Sequence, residues 1–527
     1  MQNRDTAAAL NYHESTKLAY INLANKPPLY KSYSGLPAIS LPEDFPSPET
    51  PTLEAIGAYQ ASGGPEPTLT TLAQLLYHCA GVTRVGHFRL AGEVHFRAAA
   101  SAGGLYPVET YVVCRDIEGL EAGVYHFGPD TFRLTRLREG DYRGHLAGAA
   151  GGDPTIATSP LSVIFTMVFW RSSWKYRSRG YRYCFWDNGT VASNLLAGAG
   201  ASGLPARVVN SFIDQQVDRL LGIDGLGEAS TCVVSLGSST DRSADAVPGG
   251  ELEAVGGTSV ISAPGEIDYP DIRETHAATL LADGQEVTGC QGGLGHSTPA
   301  PRSPFIAFPA PADDDPVSAP LGQTIRERGS TRRFDHQSIP FSNLAAILRH
   351  SRKGVSSDFL VSQGDSLLDL YLIVNAVDDV PSGAYFCSHA DDGLYQLREG
   401  EFRHEAGHLG FEQALPHDAS AVAFFMADLD QILERYGNRG YRAAQLEAGI
   451  VGGKLYLAAH SLGLGASGLT FYDDEVTEFF SPHSAGKSAM FVVPLGVTAA
   501  VNRVRPFRSR IAMTLDAQSR GASRSQG

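Results

Sequence analysis

The chain has 527 residues, 43% of them hydrophobic, which is ordinary globular composition on a chain too long for one core, so two domains are expected. Its 42 Lys and Arg against 57 Asp and Glu give a net charge of -15. That balance argues against nucleic acid or an anionic membrane as the main partner, because a phosphate surface is held by clustered cations. Along the chain, residues 69–79 carry apolar side chains at helical spacing, and the β-branched run 111–115 is fit for a strand. A turn is expected at GLEAGVYHF (119–127), a strand at 162–169, a helix through 190–199 and a last strand at 231–236. The composition then shifts to Gly, Ala, Pro, Ser and Asp and reads as a linker, with YPDIRETHAATLL (269–281) as a short docking helix. The pattern restarts with a helix at 341–350, a strand at 371–375 and a turn at VPSGAYFC (380–387). It continues with a strand at 421–427, a helix at 443–462, a strand at 489–495 and a frayed tail, SRGASRSQG.

The restart is a duplication. LREGDYR at 137–143 returns as LREGEFR at 397–403, and RGYR at 179–182 returns at 439–442, both at an offset of 260 (397 − 137 and 439 − 179). The same shift pairs Tyr111 with Tyr371, Tyr125 with Tyr385 and Gly189 with Gly449. Two homologous domains follow from this. The expected division is an N-terminal domain 1–237, a linker 238–320, a C-terminal domain 321–515 and a disordered tail 516–527. Strands and helices interleave in both halves, so the fold class is α+β, each half a mixed or antiparallel sheet between helical layers.

The N-terminal twenty residues show no apolar h-region or small-residue cleavage site, so no secretory signal is expected. The longest apolar runs, 161–170 and 489–501, fall short of the roughly 18–20 residues of a bilayer helix, so no membrane partner is expected. The six cysteines show no CxxC pair and the 16 histidines no HExxH spacing. A reduced cytoplasmic setting and no metal are therefore expected. His389, His404, His408 and His417 lie in one region at spacings that match no ligand set.

Two segments carry residue types suited to an anion. Arg328-Gly329-Ser330-Thr331-Arg332-Arg333 offers guanidinium forks, a hydroxyl and backbone N–H groups ahead of a helix, and Arg503, Arg505, Arg508 and Arg510 follow the last strand. Solvated surface arginines are the bland reading of either cluster alone. RGSTRRF resembles the opening motif of the nitroreductase superfamily. The resemblance implies FMN, with Arg328, Gly329, Ser330 and Arg332 on its phosphate side and Arg503 or Arg505 as a late basic pair. LGLGASGLTFYDDEV resembles the segment beside the flavin ring, where Gly465, Ser467 and Gly468 would bring backbone N–H groups close.

SAGGLYPVETYVV resembles the signature of SagB-type dehydrogenases, the branch that includes azoline oxidases of peptide natural-product pathways. Ser101, Ala102, Gly103, Leu105 and Tyr106 are the cofactor-side residues this implies, and Lys175 and Tyr176 resemble the branch's Lys-Tyr catalytic element. Members of the superfamily are ordinarily homodimers, each flavin held by both subunits. In this chain the losses are complementary. Aligning LTTLAQLL with FSNLAAIL, at an offset of 272 (344 − 72), puts the counterpart of Arg328 near Ile56, where no arginine stands, and the C-terminal half reads FLVSQGDSLLDLY in place of SAGGLYP, with Arg435-Tyr436 for Lys175-Tyr176. A fused intramolecular pseudo-dimer with one working FMN site is expected, with higher oligomers open.

Three activities stay open at this level: an FMN dehydrogenase of a peptide or other heterocycle, an NAD(P)H-dependent nitro or quinone reductase, and a non-catalytic flavin- or partner-binding scaffold. Tyr181, Arg182, Tyr441 and Arg442 are expected to be structural, because they persist in both halves.

Overall fold

Runs such as VETYVVC and LSVIFTMV bury every side chain on both faces, which is what central strands between two helical layers require. The computed structural model describes residues 23–525 except 61, 89–91, 240–241, 248, 251, 261–264, 295–297, 311–315, 354, 363–364, 389 and 501–505. In the N-terminal half the main-sheet strands are β1 Ala38–Ser40, β2 Val108–Cys114, β3 Gly123–Gly128, β4 Arg133–Glu139, β5 Leu161–Val168, β6 Ala206–Val209 and β7 Glu228–Leu236. They form an antiparallel sheet in the order β1-β4-β3-β2-β5-β7-β6, flanked by α1 Leu69–Ala80, α2 Phe169–Tyr176 and α3 Gly180–Ala201.

The C-terminal half repeats this with β8 Phe305–Ala307, β9 Leu368–Val374, β10 Gly383–Ser388, β11 Gly393–Glu399, β12 Ala421–Ala427, β13 Gly465–Ala466 and β14 Ser488–Gly496. Its order, β8-β11-β10-β9-β12-β14-β13, is strand for strand the same. Its edge strand β8 comes from within the segment 238–320, which also holds α4 Pro270–Ala278 and α5 Gly284–Cys290. The remaining helices used below are α6 Phe341–Ser351, α7 Ala414–Asp418, α8 Leu429–Tyr436, α9 Arg439–Ser461 and α10 Arg510–Ser525, the last running through most of the residues expected as a tail.

Two expected turns are corrected. GLEAGVYHF and VPSGAYFC turn only in their first residues and then become the fully buried strands β3 and β10, because Gly123 and Gly383 start strands and do not interrupt them. A Cβ at either position would come within 2.8 Å of a neighbouring strand's carbonyl oxygen, so glycine there marks close backbone approach.

The halves meet along α3 and α9. The two RGYR repeats fasten the interface in a pseudo-symmetric way: Arg439 and Arg442 each donate at 2.8 Å to Asp214 of the N-terminal half, and Arg179 and Arg182 pair with Asp473 of the C-terminal half. The first set is buried, with side chains at most 3% exposed; the second is about one-third exposed. Burial alone would raise the Asp214 carboxyl, but the two guanidinium groups hold it below its usual range.

Candidate functional site

A cavity of about 340 Å³ opens between the halves. Ser101, Ala102, Gly103, Lys175, Tyr176, Trp186 and Asp187 line it from the N-terminal half, and Ser330, Arg332, Gln413, Ser467, Gly468 and Phe491 from the C-terminal half. The SAGGLYP loop is latched from beneath by Asp187 on α3. Ser101 Oγ donates to one carboxylate oxygen at 2.5 Å, Ala102 N–H donates to the other at 2.9 Å, and Ser101 Oγ accepts from Tyr106 N–H at 2.8 Å. Burial pushes the Asp187 carboxyl up to about 7, against the lowering effect of those two hydrogen bonds. Sequence reading missed Asp187, although it is the one charged residue between Arg182 and Arg207.

Gly103 sits at φ 65°, and a Cβ there would lie 2.8 Å from Tyr176 Oη and 3.0 Å from Lys175 Nζ. Only glycine satisfies both the left-handed backbone and that approach. The Lys175 ammonium is pushed down by burial and by the Arg332 charge, and burial pushes the Tyr176 hydroxyl well above its ordinary range. Tyr176, Tyr183 and Trp186 form a chain of ring contacts with centroids at 4.3 and 4.8 Å, and Phe491 closes on Trp186 at 5.1 Å.

On the opposite wall, Thr331 N–H donates to Ala466 O at 3.0 Å, and a Cβ on Gly465 would meet Thr331 Oγ1 at 2.1 Å. Gly465 therefore seats the loop that carries Ser330 and Arg332, and does not itself line the cavity. Arg328 is buried just behind, its Nε and Nη2 donating to Ala98 O at 3.3 and 2.9 Å. Its Nη1 is buried without a partner among the described residues.

Of the remaining expected residues, Gly329, Leu105 and Tyr106 stand outside the cavity lining; Tyr106 Oη accepts from Arg97 N–H at 3.0 Å. Arg503 and Arg505 lie outside the described residues. The backbone N–H groups expected to reach a ring from the 465–468 turn are already used: Ser467 N–H donates to Pro494 O at 3.2 Å and Gly468 N–H to Tyr456 Oη. This turn continues the pairing of the last strand, which claims the Ser467 donor, and the Tyr456 hydroxyl claims that of Gly468. Ser467 and Gly468 still line the cavity.

The nitroreductase family model matches residues 64–238 and 325–496, one domain in each half. The chain belongs to the nitroreductase family. A Methanocaldococcus jannaschii protein described as a candidate nitroreductase is 33% identical over 156 residues, 30% of this chain and 75% of that protein. The microcin B17-processing protein McbC of Escherichia coli is 28% identical over 151 residues, and the trifolitoxin-processing protein TfxB of Rhizobium leguminosarum 30% over 181. These cover 28% and 33% of this chain and only 55% and 48% of the relatives, about half of each. A crystal structure from Anabaena variabilis, described as a candidate nitroreductase, superposes at TM-score 0.74 with 26% identity over 93% of this chain and 99% of that one. The tandem architecture is thus shared by the solved protein.

In this chain the mirror site, related by the 260-residue repeat, is filled by the protein itself. Arg435 and Tyr436, the counterparts of Lys175 and Tyr176, are committed to backbone. Arg435 donates to Gly289 O at 2.6 Å, Gln291 O at 2.7 Å and Gly292 O at 2.8 Å, while Tyr436 Oη donates to Phe359 O at 2.8 Å. Asp358 accepts from Asn210 and Ser211 N–H at 2.9 and 2.8 Å, so the stretch before β9 also lies across that site. The connecting segment therefore closes the mirror site as well as spanning the two halves. Ser366 donates to Glu447, the counterpart of Asp187, at 2.7 Å, so the serine–acid latch persists where the SAGGLYP loop does not.

Proposed function

We propose that the chain is an FMN-dependent oxidoreductase with one composite site, acting on a heterocycle in a peptide. The observation that carries this reading is the cavity in which Ser101, Gly103 and Lys175 of one half face Ser330 and Arg332 of the other. The donor set fits the cofactor. Arg328 keeps one guanidinium nitrogen buried and without a partner among the described residues, Ser330 and Arg332 add a hydroxyl and a cation, and Gly103 leaves space where a Cβ would intrude. The volume lies within the range of small-molecule sites, about 300–1,000 Å³.

When bound, FMN supplies the hydride acceptor. Arg328, Ser330 and Arg332 would hold its phosphate side, and the SAGGLYP loop, fixed by Asp187, would form the wall beside its ring. Lys175 Nζ, with its proton affinity lowered, accepts the substrate Cα proton. Tyr176 Oη, which keeps its proton at neutral pH, donates a hydrogen bond that orients the substrate. The peptide substrate class rests on the SagB-type resemblance and on two relatives named for processing microcin B17 and trifolitoxin.

An NAD(P)H-driven nitro or quinone reductase is the second reading, favoured by the names of the archaeal and Anabaena relatives. Purified yellow protein given a thiazoline- or oxazoline-containing peptide under air, and separately NADPH with a nitroarene, distinguishes the two. A loss of two mass units from the peptide supports the first; NADPH consumption without peptide oxidation supports the second. Colourless protein that oxidises neither leaves only a scaffold.

A further inference from the structure

Outside the cleft, His336 Nε2 and His417 Nδ1 approach the same oxygen of Asp418, at 2.7 and 2.8 Å. The three ligand atoms lie within 4.8 Å of one another on a partly exposed surface. Sequence spacing hid this group, because His336 stands in the loop after RGSTRRF while His417 and Asp418 end α7.

We propose that His336, His417 and Asp418 form a site for a divalent transition-metal ion of the zinc class. Two imidazole nitrogens and one carboxylate, open to a water as fourth ligand, are a donor set that zinc accepts. Bonds of about 2.0–2.1 Å in tetrahedral array separate ligand atoms by about 3.3 Å. The observed N···O distances are about half an ångström shorter, so exchanging the protons between these atoms for a metal needs only a small rotamer adjustment of the two half-exposed imidazoles. The rings are tilted at 55° with centroids 5.7 Å apart, which leaves room between them. Arg403 lies nearby, but its guanidinium donates to the backbone oxygens of His417 and Ala419 at 2.8 and 3.2 Å.

The cluster is one-sided. The equivalent helix of the N-terminal repeat, Pro154–Thr158, carries Ala157 and Thr158 where α7 carries His417 and Asp418. Of the two equivalent helices, only the one beside the open cavity carries these two ligands, and there Gln413 and Leu415 form part of the lining. Through His336 the ion would join that helix to the loop bearing Ser330 and Arg332, tying two walls of the cavity together. This coupling rests on the function proposed above; the metal site itself does not.

The test uses chelator-stripped full-length protein titrated with Zn²⁺ against a chromophoric chelator. Wild type and the surface control His404→Ala should take up one equivalent, with affinity at least tenfold weaker in His336→Ala, His417→Ala and the isosteric Asp418→Asn. Saturating zinc should slow tryptic cleavage after the exposed Arg332 and Arg333 at least threefold in wild type and not in His417→Ala. Equal zinc uptake by wild type and the three ligand variants, each confirmed folded by thermal melting, would overturn the site; unchanged cleavage would overturn the coupling. Flavin counted in the same samples separates the two ideas, because zinc uptake by a flavin-free chain sinks only the proposed function.

Discussion

Gly189 and Gly449 occupy the same place in the two repeats and touch each other where α3 crosses α9: a Cβ on Gly189 would lie 2.4 Å from Gly449 Cα. Self-contact of equivalent residues marks a two-fold axis, here internal to one chain. Gly189→Ala should force the helices apart and destabilise the fold by about 1–3 kcal/mol, the usual cost of overpacking. Urea unfolding measures it, and an unchanged midpoint would contradict the tight crossing.

The buried anchor should outweigh its exposed counterpart. Asp214→Ala leaves Arg439 and Arg442 buried without their carboxylate and should cost about 3–5 kcal/mol. Asp473→Ala removes a partly solvated pair and should cost about 1 kcal/mol or less. The same unfolding experiment compares them.

Asp187 gives a pH signature. Its folded value of about 7 lies above the ordinary value of about 3.9, so the folded chain binds this proton more tightly than the unfolded chain does. The stabilisation it provides is full below about pH 4 and is lost as pH rises to about 7. The melting temperature of wild type relative to Asp187→Asn should fall across that window; a constant difference would contradict the raised value.

The Lys-Tyr pair and its mirror should separate cleanly. Lys175→Met should lower peptide turnover about 100-fold or more with flavin content retained, as loss of a general base does. Because burial and Arg332 lower the Lys175 value, wild-type rate should rise with pH on a limb that Lys175→Met lacks. Tyr436→Phe should leave turnover alone and cost about 1 kcal/mol of stability through the lost bond to Phe359 O.

Much of this was legible because the repeat is written in the sequence: an offset of 260 paired Gly189 with Gly449, and matching LTTLAQLL to FSNLAAIL exposed the loss at Ile56 that complements the one in FLVSQGDSLL. Local pattern misled where glycine served close packing, so β3 and β10 read as turns. It also misled at Gly465 and Gly468, whose surroundings are set by strand pairing, by Thr331 and by Tyr456 of the helix that precedes the turn. The Asp187 latch and the filling of the mirror site by residues 289–294 and 355–360 depend on contacts far apart in the chain, which periodicity does not encode.

The most direct measurement is flavin released per chain, in wild type, Arg328→Ala and Gly103→Leu. One FMN per wild-type chain, lost in both variants although they alter opposite halves, is the expected result. Two FMN per chain, or a single flavin that survives either substitution at full occupancy, would contradict a single site built by both repeats.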